Sequence, residues 1–188
     1  MLPAHCRNSL NSDLHISQQL YQTAMPYDQT IKHEAEYAHS LGPDATEDKF
    51  HATHNGILTH WFPTARGYVI DHQIMGEGGK PEYIIIRHAG RKRNPLLIVE
   101  LKRPNKWTAA GKKEVQEDLT TYIEGRFDLT QYNTIYGVGG IGLHWAVYKM
   151  EKSGNHKLSL VQDWKDDIAS DTSYTEFEHI SNLVYTIT

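Results

Sequence analysis

The chain holds a single cysteine, Cys6, among its 188 residues, so no disulfide can form within it. A stapled fold is therefore excluded, and no Cys-x-x-Cys is present to build a structural zinc site. A lone thiol suits a reducing compartment, and the expectation is an intracellular protein of the cytoplasm or nucleus. No apolar run approaches the roughly 20 residues needed to cross a bilayer. Residues 1–8, Met-Leu-Pro-Ala-His-Cys-Arg-Asn, show no apolar signal-peptide core, so a soluble protein is expected. Internal repeats and low-complexity tracts are also missing, which excludes repeat architectures.

Net positive charge is absent too, the formal value being -4. That average hides an asymmetry. Residues 87–113 hold nine basic residues against Glu100 alone, so this segment carries +8 and the rest of the chain -12. Local clustering matters more to a polyanionic partner than the net figure does. What remains is ordinary globular material, 39% hydrophobic and 22% charged. At this length one domain is expected, over 46–188, with a helical extension over 1–45.

Residues 1–12 read as unstructured. The stretch 13–40 is helical in composition, with Leu14, Leu20, Tyr21 and Met25 as core candidates and Pro26 dividing it into two helices. Thr46 can cap a helix running to Trp61, in which Phe50, Ile57, Leu58 and Trp61 recur at helical spacing. Three short β-rich runs follow, 68–74, 82–87 and 96–102. The first two are separated by a glycine turn at 76–79, the last two by a basic hairpin at 90–95. Residues 108–124 form an amphipathic pattern through Val115, Leu119, Tyr122 and Ile123, stopped by Gly125. Strands are expected at 133–139, continuing toward 143–150, and at 157–161, with a last helix near 174–184. Tyr132, Tyr136, Trp145 and Tyr148 read as core or sheet packing rather than base-stacking platforms.

Glu100 and Lys102 stand two apart on the most apolar strand, so both side chains leave the same face of the sheet. Burying such a pair is costly without compensation. If the two neighbouring strands pair through the 90–95 hairpin, Glu82 comes close to Glu100. Two close carboxylates repel, and a divalent cation relieves that repulsion by taking oxygen ligands from both. A lysine beside them can orient or help deprotonate a water and stabilise charge developing on a phosphate.

Pro81-Glu82, seventeen residues, then Glu100-Leu101-Lys102 resembles the PD-(D/E)xK nuclease superfamily, which has the restriction-endonuclease-like fold. The resemblance implies an α/β core of helix, three meandering strands, helix and one or two further strands over about 46–150. A helical preface before such a core resembles small stand-alone modules of fungal genomes. It implies a metal-dependent nuclease cleaving nucleic acid, DNA rather than RNA, with Mg²⁺ or Mn²⁺. Glu82 and Glu100 would be metal ligands, Lys102 the catalytic lysine, and the Leu101 backbone carbonyl a further ligand. The first helix often adds a ligand in this family, for which Glu47, His51 and His54 are candidates. Asp71 is an alternative ligand, and Gln116 matches an auxiliary polar position. Arg91, Lys92, Arg93, Arg103 and Lys106 are the candidate contacts to the nucleic-acid backbone. The sequence departs from the family's usual pattern in having Glu82 where aspartate is common. A degenerate member that only binds nucleic acid or protein is the alternative.

Gly137-Val-Gly-Gly-Ile-Gly142 also matches G-x-G-x-x-G, a dinucleotide-binding pattern, and Asp163 follows about twenty residues on. Only 46 residues remain after Gly142, too few for the rest of a doubly wound sheet. Residues 143–150 are β-branched and aromatic rather than helical. Glycines at a bend between strands explain the pattern more simply. His51, His54 and His60 could share a helix face, but without a His-Glu-x-x-His they do not make a zinc motif.

Overall fold

Six strands form one mixed sheet in the spatial order β1-β2-β3-β4-β5-β6. The computed structural model describes residues 26–188 except Ile74 and Glu77, so the expectations for residues 1–25 lie outside the described residues. The strands are β1 (Tyr68–His72), β2 (Tyr83–Ala89), β3 (Lys92–Lys102), β4 (Thr134–Ile141), β5 (His144–Glu151) and β6 (Ser159–Lys165). Four α-helices accompany them among the described residues: α1 (Gln29–Ser40), α2 (His51–Trp61), α3 (Ala109–Glu124) and α4 (Asp171–Thr186). Neighbouring strands are antiparallel except β3 and β4, which are parallel. A parallel pair needs a long crossover, and α3 supplies it. The core order of helix, three-strand meander, helix and strand is the one the sequence pattern implies. No helix among the described residues is long and apolar enough to cross a membrane.

The alternation of side chains along β3 splits the core into two layers. Leu97, Val99 and Leu101 face a cluster that includes Ile31 and Ala35 of α1, Ile57 and Leu58 of α2, and Phe177 and Ile180 of α4. Ile98 faces the other way, toward Val115, Leu119 and Ile123 of α3. Burial on both faces explains why β3 reads as a continuous apolar run.

Several boundaries differ from the sequence expectation. Residues 46–61 begin with a 3-10 turn, Glu47–Phe50, and Thr46 makes no side-chain capping bond. The basic hairpin expected over 90–95 turns more tightly, because β3 starts at Lys92 rather than at 96. Pro95 pairs with Ile86 and Leu97 with Ile85, so Leu96 is the extra residue of a bulge. Pro95 also lies outside the stretch paired with β4, which starts at Leu97. A proline there breaks no ladder on the central side.

The glycines of 137–142 belong to β4 and the turn into β5, and no helix follows them. A Cβ at Gly139 would overlap Val115 Cγ1, and one at Gly140 would fall 2.5 Å from Leu101 Cδ2. Gly142 turns the chain with φ +60. These positions are bare because helix and strand side chains pack directly on the backbone, so the dinucleotide reading does not apply. Gly139→Ala should accordingly destabilise the fold by about 1–3 kcal/mol through overpacking. Gly154→Ala, whose Cβ would meet nothing nearer than the Glu151 carbonyl oxygen at 3.5 Å, should fall within about 0.5 kcal/mol of wild type. Urea unfolding of the two variants checks the contrast.

Candidate active site

Tyr83 pairs with Val99, and one step further along the same register Glu82 stands opposite Glu100. Directly opposed residues share a face of the sheet, here the face of Ile84 and Ile98 that carries α3. On the other side of Glu82, the Gln73 backbone N–H donates to the Glu82 carbonyl and Gln73 Nε2 donates to Glu82 Oε2 at 3.0 Å. Gln73, Glu82 and Glu100 thus form a row across β1, β2 and β3 at one end of the sheet.

The start of α2 brings two more ligand-type groups to this row. Tyr83 fixes that start by donating its hydroxyl to the His51 carbonyl at 2.9 Å. His51 Nε2 then lies 3.0 Å from Glu82 Oε2 but is not aligned for a hydrogen bond. Glu47, His51 and Glu82 each place one ligand atom within 4.8 Å of the others. Burial, then hydrogen bonding and charge from Glu82, push the Glu47 carboxyl up to about 7, against the opposing pull of Lys102 and Arg103.

Glu100 stands beside this trio rather than in it. It is 4% exposed, and its Oε1 accepts from Lys102 Nζ at 2.6 Å. Its Oε2 is buried with no hydrogen-bond partner. Burial pushes the Glu100 carboxyl up to about 8 even though Lys102 pulls it down, while Asp118 and Glu47 add to the rise. Lys102 is held from the helix side as well, 2.7 Å from Asp118 Oδ2 and 3.8 Å from Glu114 Oε1. Burial alone would lower its pKa, but the Asp118 and Glu100 carboxylates raise it, so it remains an ammonium at neutral pH.

This donor set suits a hard divalent cation, which takes carboxylate oxygens and tolerates imidazole. Three carboxyl groups converge, one buried oxygen has no hydrogen-bond partner, and His51 Nε2 lies 3.0 Å from a carboxylate oxygen without a hydrogen bond. These are the strains that a cation relieves. Glu47, His51, Glu82 and Glu100 are the side chains that could hold it.

Other candidates are placed elsewhere. His54 is fully buried under β4, its Nε2 3.5 Å from the Gly142 carbonyl, and burial lowers its pKa to about 4. Asp71 pairs with Arg93. Gln116 donates to the Tyr148 hydroxyl at 3.1 Å, away from Lys102. Arg91, Lys92 and Arg93 sit at the other end of β3. Glu100 is seven steps along the strand from Arg93, about 23 Å at the rise of an extended strand. Asp118 and Gln73 are the neighbours that sequence reasoning missed. Glu114 and Asp118, at i and i+4 on α3, carried a signal for the first of them.

No family model matches the chain, and no curated protein sequence matches it. Among solved structures it is similar to the type IIG restriction endonuclease BpuSI, with a TM-score of 0.51 and 13% sequence identity. The match covers 73% of this chain and 17% of that one. At this identity the likeness speaks for the fold, and the fold is restriction-endonuclease-like.

The raised carboxyls fix a pH dependence. Glu47 and Glu100 have folded pKa values above the ordinary 4.5, so between that value and about 8 the folded state binds more protons than the unfolded one. Stability therefore falls as pH rises through that window. His54 works the other way, but only below about 6.5. From pH 6.5 to 8.5, the melting temperature of metal-free protein should fall, and Glu100→Gln should flatten the fall. Differential scanning calorimetry in EDTA measures both slopes.

Proposed function

We propose that this protein hydrolyses phosphodiester bonds in DNA with a bound divalent cation, Mg²⁺ or Mn²⁺. The observation that carries the reading is the buried Glu100–Lys102 pair on β3, opposite Glu82 and beside Glu47, on a restriction-endonuclease-like fold. A type IIG restriction endonuclease with a similar fold supports DNA as the substrate class. When bound, the cation would supply positive charge to the scissile phosphate and acidify a water.

The side chains divide the remaining work. Glu82, Glu100, Glu47 and His51 would hold the cation, with the Leu101 carbonyl as a further ligand. Lys102 keeps its proton, so it acts as a fixed positive charge facing the phosphate rather than as a base. Asp118 holds that ammonium in place. Glu47, raised to about 7 by burial and by Glu82, must lose its proton to serve as a ligand, so the cation would compete with a proton there. Arg103 and Lys106 follow Lys102 directly and supply backbone contacts near the site, while Arg91 and Lys92 reach a duplex at a second point.

One observation favours a second reading. Lys102 is already engaged by the Glu100 oxygen and the Asp118 carboxylate, which leaves it less free to meet a phosphate. A module of this fold that binds nucleic acid without cleaving it is consistent with that clamp.

Plasmid nicking with Mg²⁺ or Mn²⁺ separates the two. Lys102→Ala should remain folded and lose roughly 10²-fold in rate, the scale of removing one preorganised electrostatic group. Glu100→Ala should lose cleavage and ion binding together. Glu82→Asp tests the longer side chain: a gain in rate shows a detuned site, and a loss equal to Glu82→Ala shows one adapted to glutamate. Wild-type protein that neither cleaves nor binds either ion sinks the nuclease reading.

Duplex affinity should fall steeply with salt, because basic residues displace condensed counterions. Replacing Arg91 and Lys92 by alanine should flatten that slope by up to about two units. An unchanged slope makes the hairpin a solvated turn.

A further inference from the structure

A second surface borders the candidate site at the N-terminal end of α3, and nothing in the cleavage reading uses it. Trp107 is 36% exposed, five residues beyond Lys102. One face of its indole stacks on His144, with ring centroids 3.7 Å apart and planes 10° from parallel. Lys112 Nζ lies 3.7 Å from the same Trp107 centroid. Two groups at that height cannot share a face, so the ammonium covers the face opposite His144. Trp164 of β6 meets Trp107 edge-on, at 5.3 Å and 74°, and its ring centroid is 5.5 Å from Lys112 Nζ. The lysine thus fills a corner walled by two indoles.

We infer that this corner is a binding subsite for an unpaired nucleobase, with Lys112 as its displaceable cover. The inference rests on the nuclease-type reading only for its substrate class, a DNA strand with a single-stranded stretch. Trp107 is backed by His144, whose Nδ1 lies 3.5 Å from Asp166, so the ring is held in position from behind. Its other face carries a flexible side chain for which the structure gives no carboxylate partner. An exposed cation–π contact is worth less than stacking a base on an aromatic ring, so a base displaces the ammonium favourably. The released Lys112 then meets a phosphate of the same strand, and its charge is kept rather than lost.

Charge around the corner favours a polyanion where the site itself does not. Glu114 is taken by Lys106 at 2.8 Å, and Glu117 by Lys113 at 2.7 Å. Asp166 faces His144, and Asp163 accepts from the Trp164 backbone N–H at 2.8 Å. Arg103 and Lys112 have no carboxylate in any ion pair among the described residues. Lys106 and Lys102 both approach Glu114, so the corner and the Glu100–Lys102 pair adjoin along one edge of α3. A strand whose backbone crosses Lys102 has a neighbouring base within reach of Trp107.

The test is a binding titration of the full chain in EDTA, which removes any dependence on a metal. The probes are a dye-labelled oligo-dT of about twelve nucleotides, within the site sizes of single-strand grooves, and a duplex of the same length. Oligo-dT should quench tryptophan fluorescence in wild type. Trp107→Ala should weaken oligo-dT binding about tenfold and duplex binding by less than about twofold. If Trp107→Ala does not fold, Trp107→Phe and Trp107→Leu decide: phenylalanine keeps a stacking face and most of the affinity, leucine keeps bulk and loses it. Equal oligo-dT affinity in wild type, Trp107→Ala and Trp107→Leu overturns the inference, as does wild type that does not bind oligo-dT. Plasmid nicking by the wild type with Mg²⁺, measured in parallel, separates this from the cleavage reading. Trp107-dependent binding without any cleavage leaves the subsite standing and the nuclease reading lost, and Lys102-dependent cleavage with no effect of Trp107 gives the reverse.

Discussion

The arrangement turns on one carboxylate placed where a carboxylate is costly. Glu100 lies inside the most apolar strand of the sheet, with one oxygen bonded to Lys102 and the other unpaired. A buried charge needs both a partner and hydrogen bonds, and Glu100 has half of that. Its raised pKa is the direct result. The surrounding structure compensates by drawing in Lys102, and Lys102 in turn requires Asp118. A chain of polar contacts, Glu100 to Lys102 to Asp118, therefore runs from the sheet to α3 and depends on the placement of that helix.

That placement depends on residues with no side chain. Gly137 and Gly139 of β4 lie under Leu119 and Val115, so α3 rests on bare backbone and Asp118, three residues beyond Val115, reaches Lys102. At the other end of the helix, a Cβ at Gly79 would fall 2.8 Å from Tyr122, and Arg126 donates to the Gly79 carbonyl at 3.1 Å. The β1–β2 loop is thereby tied to α3. The same loop leads into Glu82, so both acidic strands and the helix are held against one another by close backbone approaches. A glycine pattern that resembles a nucleotide-binding turn is here a packing device for an ionic site.

Much of this was legible in the sequence, and the exceptions have geometric causes. The apolar run of β3, the Glu-x-Lys spacing, the Pro81-Glu82 step and the amphipathic phase of α3 are local features, and each has its structural counterpart. Gln116 was misplaced because helix phase is unforgiving: two residues from Asp118 is about 200° around the axis, so Gln116 faces β5 while Asp118 faces Lys102. His51 and His54 diverge for the same reason, one at the start of α2 beside Glu82 and the other under Gly142. The +8 segment looked like one patch because it is contiguous in sequence. An extended strand separates its two halves, leaving Arg91–Arg93 at one end of β3 and Lys102–Lys113 at the other. Pro95 hid the start of β3, since a bulge is not written in a proline. The Trp107 corner draws its residues from the α3 approach, the start of β5 and β6, and no spacing in the sequence announces that meeting.

Fold likeness at low identity does not by itself argue for chemistry, but the energetics of the site do. Buried ionic groups can often be replaced by well-packed apolar residues with no loss of stability, sometimes with a gain. A domain kept only for its packing has no need of Glu82, Glu100, Lys102 and Asp118 at the end of an apolar sheet, nor of a histidine nitrogen pressed against a carboxylate it does not bond. These groups are a standing cost within a fold whose two hydrophobic layers are otherwise complete. Strongly shifted titratable groups in such a setting gather at functional sites more than elsewhere. Glu47 and Glu100 are shifted by burial and by neighbouring carboxylates, the two conditions that a cation reverses together. A divalent cation is one remedy common to both strains, and the proposed reading rests on that coincidence rather than on the fold likeness.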